Sequence, residues 1–411
     1  MKFALIRERK NPPDRRVVFS PAQLAALNLK YRDQAKFVVE SSPIRIFTDE
    51  QYRDAGVEVV DDVSDADVLL GVKEVPKEDL ILHKKYFFFS HTIKKQPYNR
   101  DLLREILKKN IELYDHETIV AETGGRLIGF GRYAGIVGAY NGFRALGLRD
   151  GIFDLPKVES LPDYEALKNE LRAIKTSLPK INIAITGSGK VTGGIREILE
   201  TLGVHEVLPK AYLQLGHFEN RQTVFTQLDV HDYYIRKDGL KPTKTECYNN
   251  PELLKSDFMK FATVTDMLIT GHFYDHKAPY LFTREDAKRP EFKINVVADV
   301  SCDIDGPVAS TIRPSTIADP IYGYDPRTEK ETDYKDSGAI TVMAVDNLPC
   351  ELPKDASEGF GEMFQESVLP AFFNDDEDGI LDRAQMTTSS GTLTERFSYL
   401  EDFVKEYRTK F

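Results

Sequence analysis

An α/β fold in two domains, each built on a parallel sheet, is predicted for this 411-residue chain. Three observations carry the prediction. Short apolar runs alternate with helical patterns through the first half, as βαβ units require. A strand-like run at 181–185 leads straight into a glycine-rich turn and a helical segment at 195–202. The length suffices for two domains with separate cores.

Taken in order, strands are expected at 3–6, 36–39, 68–72, 86–90 and 111–114. Between the last two, residues 99–109 place Leu102, Leu103, Ile106 and Leu107 at helical spacing. A helix over 21–29 is expected with Ser20 as its N-cap and Pro21 in its first position, where a missing N–H is harmless. Residues 130–148 carry Ala134, Gly135, Gly138, Ala139 and Gly142. That run of small side chains predicts a helix connecting the domains and lying close against neighbouring backbone. Residues 150–179 are polar and proline-punctuated, a surface helix with linkers. A second α/β unit starts at Ile181 and passes Ile269 and Val296 to Val342. Beyond Asp346 the pattern turns helical, over 356–373 and 394–408, and these helices are expected back on the first domain. The acidic residues 375–378 read as a solvated loop. The expected domains are 1–130 with 342–411, and 131–341, separated by an active-site cleft.

A net charge of −11 and the absence of a basic block exclude a nucleic-acid surface. The cluster Arg7-Glu8-Arg9-Lys10 with Arg15-Arg16 is too short for a basic tail but suits small carboxylates. Cys247, Cys302 and Cys350 lie far apart, which suggests a reduced compartment and gives no zinc framework. No metal site is expected. The start Met-Lys-Phe-Ala-Leu-Ile-Arg has too short an apolar run for a signal peptide, and no stretch approaches a membrane span. A cytoplasmic protein with no membrane partner is expected, with homo-oligomerisation left open.

The turn Gly187-Ser188-Gly189-Lys190-Val191 stands between strand and helix, the Rossmann context of a dinucleotide fingerprint. Gly187 permits the tight turn, and Gly189 lets backbone approach a pyrophosphate at the helix N-terminus. Thr192 stands where a third glycine is usual, with Gly193 one place later. A glycine-rich turn without a ligand is the plainer alternative. The ribose-binding acid expected about 20 residues further on falls instead on Lys210, with Glu206 the nearby acid. A cation there suits a 2′-phosphate, so the lean is to NADP over NAD.

Lys73 and His91 sit in strand-end motifs, Gly71-Val72-Lys73-Glu74-Val75-Pro76 and Phe87-Phe88-Phe89-Ser90-His91-Thr92-Ile93-Lys94. An amine and an imidazole beside a nicotinamide can move protons during chemistry at a C=N or C=O bond. Alone, each reads more simply as a solvated lysine and a satisfied histidine. With Arg16-Val17-Val18-Phe19-Ser20-Pro21, Leu113-Tyr114-Asp115, Ala298-Asp299-Val300-Ser301-Cys302-Asp303, Val345-Asp346-Asn347-Leu348-Pro349 and Ser390-Gly391-Thr392-Leu393, they resemble one family along nearly the whole chain. It is the saccharopine dehydrogenase (lysine-forming) and lysine–2-oxoglutarate reductase family, a branch of the alanine dehydrogenase/transhydrogenase superfamily.

The resemblance implies two Rossmann-like domains and an NAD(P)-dependent oxidoreductase. Its reaction would interconvert saccharopine with L-lysine and 2-oxoglutarate, small amino-acid and oxo-acid substrates. It implies Lys73 and His91 as catalytic groups, with Glu74 and Glu117 as acids beside them. Arg16 and Arg126 would bind carboxylates. Asp303 and Asp346, Asn347 and Leu348 would close over the nicotinamide. Arg132 departs from the family pattern as an added cation, there to bind another carboxylate or to exclude the usual substrate. Some alternatives stay open: Arg15 rivals Arg16, Asp305 rivals Asp303, and Glu117 reads equally as a surface acid. So does the division of proton transfers between Lys73 and His91. The rival functions are an alanine dehydrogenase-like deamination of a simpler amino acid, a non-catalytic dinucleotide-binding protein and, more remotely, a transhydrogenase subunit. Residues 212–260 have no family counterpart.

Overall fold

The computed structural model describes residues 1–215 and 222–405. The end of the expected 394–408 helix and part of the 212–260 segment lie outside them. The chain divides into two compact units, Met1–Phe130 with Pro353–Phe411, and Gly131–Leu352.

In the first unit β1 (Lys2–Leu5), β2 (Lys36–Glu40), β3 (Val59–Val60), β4 (Val68–Leu70), β5 (Lys85–Phe88) and β6 (Glu112–Asp115) form a sheet in the order β3-β2-β1-β4-β5-β6. Every pair is parallel. Such strands are apolar on both faces because helices cover both sides. One face, with Phe3, Phe37 and Phe87, packs on α1 (Pro21–Lys30) and on Phe360 and Phe364 of the C-terminal helix Pro353–Ser367. The other face, with Leu69, Tyr86 and Phe88, packs on Leu102, Leu103 and Ile106 and on Phe397, Leu400 and Phe403. Ser20 caps α1 in a capping box with Gln23. Two more helices, α2 (Asp49–Asp54) and α3 (Arg100–Lys108), complete this part. The expected last helix is instead a 3-10 segment, Glu395–Leu400, followed by one turn, Glu401–Val404.

The chain runs from β1 toward β3 on one side and from β4 toward β6 on the other. The reversal leaves a crevice between the carboxyl ends of β1 and β4, where sheets of this kind bind ligands.

The second unit holds β7 (Asn182–Thr186), β8 (His205–Glu206), β9 (Val224–Leu228), β10 (Tyr234–Arg236), β11 (Leu254–Ser256), β12 (Met267–Thr270), β13 (Val296–Asp299), β14 (Ile321–Asp325), β15 (Lys330–Thr332) and β16 (Ile340–Met343). Eight of them form a sheet in the order β15-β14-β16-β13-β12-β7-β9-β8, and β10 pairs with β11 apart. This sheet is not wholly parallel: β14 runs antiparallel to both β15 and β16. A tight turn joins β14 to β15, which makes that pair antiparallel, and the chain between β14 and β16 is taken up by β15 and its turns, with no crossover helix. The topological reversal falls between β7 and β12.

Three helices precede or follow β7: α4 (Gly131–Asp150), α5 (Tyr164–Ile174) and α6 (Lys190–Leu202). The glycine-rich α4 is the first element of this unit. A Cβ at Gly135 would collide with the Val191 carbonyl oxygen, and one at Gly194 with that of Arg132. The two backbones touch there. Gly→Ala in an open helix gains about 1 kcal/mol, but here the clash is with backbone and should win. Gly135→Ala should lower unfolding free energy by about 2 kcal/mol in urea titration, and a gain in stability would refute the close crossing.

Candidate functional site

The carboxyl ends of β4, β5 and β6 lie side by side, and each is followed by a residue with proton-handling chemistry. Lys73 follows β4, His91 follows β5, and Asp115 with Glu117 closes β6. Glu8, beyond β1, bridges the crevice: its carboxylate accepts the N–H of Val72 at 2.6 Å and of Lys73 at 2.9 Å. That bond fixes the backbone that presents the lysine. Asp115 does the same for the histidine, accepting the N–H groups of Ser90 at 2.9 Å and His91 at 3.1 Å and the Ser90 hydroxyl. His91 itself adopts a left-handed conformation, φ 55°, uncommon for a residue with a side chain.

Glu117 sets the tautomer of the neutral imidazole. Its Oε2 lies 2.9 Å from His91 Nδ1, while Oε1 takes Arg126 at 3.0 Å and Lys94 at 3.5 Å. Burial alone would raise this acid, but the His91 hydrogen bond and the charges of Lys94 and Arg126 outweigh it and hold Glu117 at about 2. An ionised carboxylate only accepts, so Nδ1 carries the hydrogen, and in the neutral ring Nε2 is the nitrogen that keeps its lone pair. Glu117 is therefore buried and engaged, unlike a surface acid.

Burial pushes Glu8 up to about 7 despite its two backbone donors. The folded form thus favours its protonated state. This contribution is complete below the ordinary 4.5 and is lost as pH rises through about 7. The shift is equivalent to about 3 kcal/mol. Glu8→Gln should flatten the decline in stability between pH 5 and pH 8, measured by urea unfolding at each pH. An unchanged slope would contradict the burial argument.

Of the paired arginines, Arg15 is exposed and Arg16 is buried. Arg16 forks onto Asp14 at 2.6 and 3.0 Å and lies 4.2 Å over the Phe130 ring. The basic cluster near the start is largely spent internally, Arg9 on Glu40 and Lys10 on Glu74. Glu74 consequently faces Lys10. His116 is a buried structural ring, 2.8 Å from the Gly71 carbonyl.

In the second unit the glycine turn opens a cavity of about 420 Å³ lined by Gly187, Ser188, Gly189, Lys190 and Val191 with Asp229, Tyr233, Tyr248, Gly271, His272 and Phe273. Gly187 has φ 96°, and a Cβ at Gly189 would meet nothing within 4 Å. Gly189 caps α6 without any side-chain hydrogen bond. Open backbone at the start of a full-length helix fits a pyrophosphate.

Lys210 does not reach this cavity. The strand beside β7 is β9, not β8, so the strand-end position falls on Asp229. Lys210 is exposed on a short helix and lines a different pocket with His231 and Lys260. Asp229 accepts Lys244 Nζ at 2.7 Å, and Lys244 also donates to Ser188 Oγ at 2.8 Å. Arg132 is likewise engaged elsewhere, paired with both carboxylate oxygens of Glu197 at 2.6 and 2.7 Å. Asp303 follows β13 and Asp346, Asn347 and Leu348 follow β16, outside the cavity lining. Asp303 is half-buried, whereas Asp305 is exposed and pairs with Arg284. Among the described residues no group of His, Cys, Asp and Glu could hold a metal ion, and no helix is long and apolar enough to cross a membrane.

Residues 4–137 match the family model for the alanine dehydrogenase/PNT N-terminal domain. Mitochondrial alpha-aminoadipic semialdehyde synthase of Mus musculus is 30% identical, over 97% of this chain and 47% of its own length. Saccharopine dehydrogenase (NAD(+), L-lysine-forming) of Candida glabrata is 28% identical, over 89% of this chain and 90% of its own. The chain belongs to the saccharopine dehydrogenase family of oxidoreductases. It spans about half the length of the semialdehyde synthases it matches. Dehydrogenases of this family use a nicotinamide dinucleotide. Solved structures share the fold: an L-alanine dehydrogenase at TM-score 0.65 and 16% identity, covering 98% of this chain and 100% of that one. A transhydrogenase from Sinorhizobium meliloti follows at TM-score 0.55 and 15% identity, covering 95% and 98%.

Proposed function

We propose that this saccharopine dehydrogenase-family chain interconverts saccharopine with L-lysine and 2-oxoglutarate. The bound dinucleotide supplies or accepts the hydride. In the reductive direction the lysine ε-amine adds to the oxo carbon, the carbinolamine hydroxyl takes a proton and leaves as water, and hydride added to the carbon of the resulting protonated imine gives the secondary amine. Each stage before hydride transfer moves a proton on or off oxygen or nitrogen. The observation that carries the reading is the His91–Glu117 pair at the strand end next to Lys73. It leaves His91 Nε2 as a base, while the Lys73 ammonium can donate or, once neutral, accept. Fixed guanidinium forks suit a substrate with three carboxylates, and Arg16 and Arg126 are the candidates in this unit.

For the cofactor, Asp229 at the end of β9 supports NAD(H) in place of the NADP suggested by Lys210, since a carboxylate accepts from a ribose 2′-hydroxyl and opposes a 2′-phosphate. NADH should bind more tightly than NADPH. Asp229→Ser should narrow that difference about 10-fold by removing the repulsion, and Lys210→Ala should change neither affinity. Tighter NADPH binding by the unaltered chain would reverse the assignment.

Incubation with lysine, 2-oxoglutarate and NADH, followed by mass spectrometry, tests the reaction. Appearance of saccharopine is expected. Turnover with ammonia and pyruvate alone would favour the alanine dehydrogenase-like reading instead.

A further inference from the structure

His272 stands at the topological reversal of the second sheet, just past β12 and beside the glycine turn. It lines the same cavity and is 8% exposed. Its Nδ1 lies 2.6 Å from Thr186 Oγ1, at the end of β7. That oxygen also receives the Gly271 N–H at 3.3 Å. With the Thr186 hydroxyl as the donor in its bond to His272, Nδ1 is bare. In a neutral imidazole the hydrogen then resides on Nε2. Burial pushes His272 down to about 4, so the ring is neutral near pH 7. Nε2 is buried and has no hydrogen-bond partner among the described residues. A buried donor without a partner is rare and calls for a ligand, a water or strain to explain it.

We propose that His272 donates its Nε2–H to the pyrophosphate of the bound dinucleotide, as a cofactor-binding residue outside the glycine turn. The inference rests on the dinucleotide reading above. A phosphate oxygen is the acceptor that fits the place. A Cβ on Gly187 would come within 2.7 Å of the Gly271 carbonyl oxygen, so the peptide leading to His272 abuts the turn. The open amides of α6 already favour an anion there. A neutral donor adds a bond to that anion without adding a second charge beside Lys190.

The test titrates NADH and, separately, ADP-ribose into the full chain and into His272→Phe and His272→Gln. His272→Phe should bind both ligands about 10-fold or more weakly, the scale of a lost hydrogen bond to a charged group. His272→Gln, which keeps an N–H, should recover part of the loss. Unchanged NADH affinity in His272→Phe would overturn the proposal. So would a loss for NADH with none for ADP-ribose, which lacks the nicotinamide. Should the variants not fold, ¹⁵N-histidine NMR of the unaltered chain decides: an Nε2–H signal that shifts on adding ADP-ribose is expected, and an Nδ1–H tautomer would refute it. Failure of the unaltered chain to bind any dinucleotide would instead remove the proposed function, and this inference with it.

Discussion

Replacing Lys73 by Met and His91 by Gln together should lower kcat about 10⁴-fold, the upper range for positioned acid–base groups. Both substitutions keep approximate size while removing the titrating nitrogen. Dinucleotide affinity should stay within about two-fold, because the glycine-turn cavity is built wholly from residues of the other unit. Steady-state rates and NADH titration of the same preparation separate the two effects. The single variants matter as well. If His91 and Lys73 serve different proton transfers, each alone should already cost about 10²-fold. A double variant retaining a tenth of the activity would mean that the chemistry lies elsewhere.

Glu117→Gln should also cost catalysis, by about 10²-fold or more in kcat, without touching the reacting atoms. The carboxylate can only accept from His91 Nδ1. An amide in its place can present its N–H to Nδ1, shift the hydrogen to Nε2 and leave no base, as in catalytic triads whose acid is amidated. Glu117→Asp keeps the acceptor and should recover part of the rate. A merely structural role would lower stability in both variants alike and would not separate them by kcat. Equal rates for Gln and Asp would contradict the tautomer argument.

Much of this could be read in the chain itself, for reasons that differ by element. Val68-Leu69-Leu70 and Ile183-Ala184-Ile185 are legible as strands because parallel sheets are buried on both faces. Lys73, His91 and the glycine turn are legible because each lies directly after such a run, where the carboxyl ends converge. Glu8 is hidden because it sits among Arg7, Arg9 and Lys10 and looks like part of a charged surface. Only the pairing of β1 with β4 shows that it caps the backbone of Lys73. Asp229 is hidden by spacing: β8 and a short helix intervene, so counting from the glycine turn lands on Lys210. The partners of Arg16 and Arg132, Asp14 and Glu197, are matters of side-chain direction that composition does not encode. His272 has no motif around it, and its interest comes from one buried nitrogen.

The most direct measurement is absorbance at the reduced-nicotinamide band while the purified chain meets NADH, lysine and 2-oxoglutarate. A saturable decrease that requires all three, and that disappears in the Lys73→Met, His91→Gln variant, is the predicted result. No decrease with lysine and 2-oxoglutarate, from protein that still binds NADH, would contradict the lysine assignment.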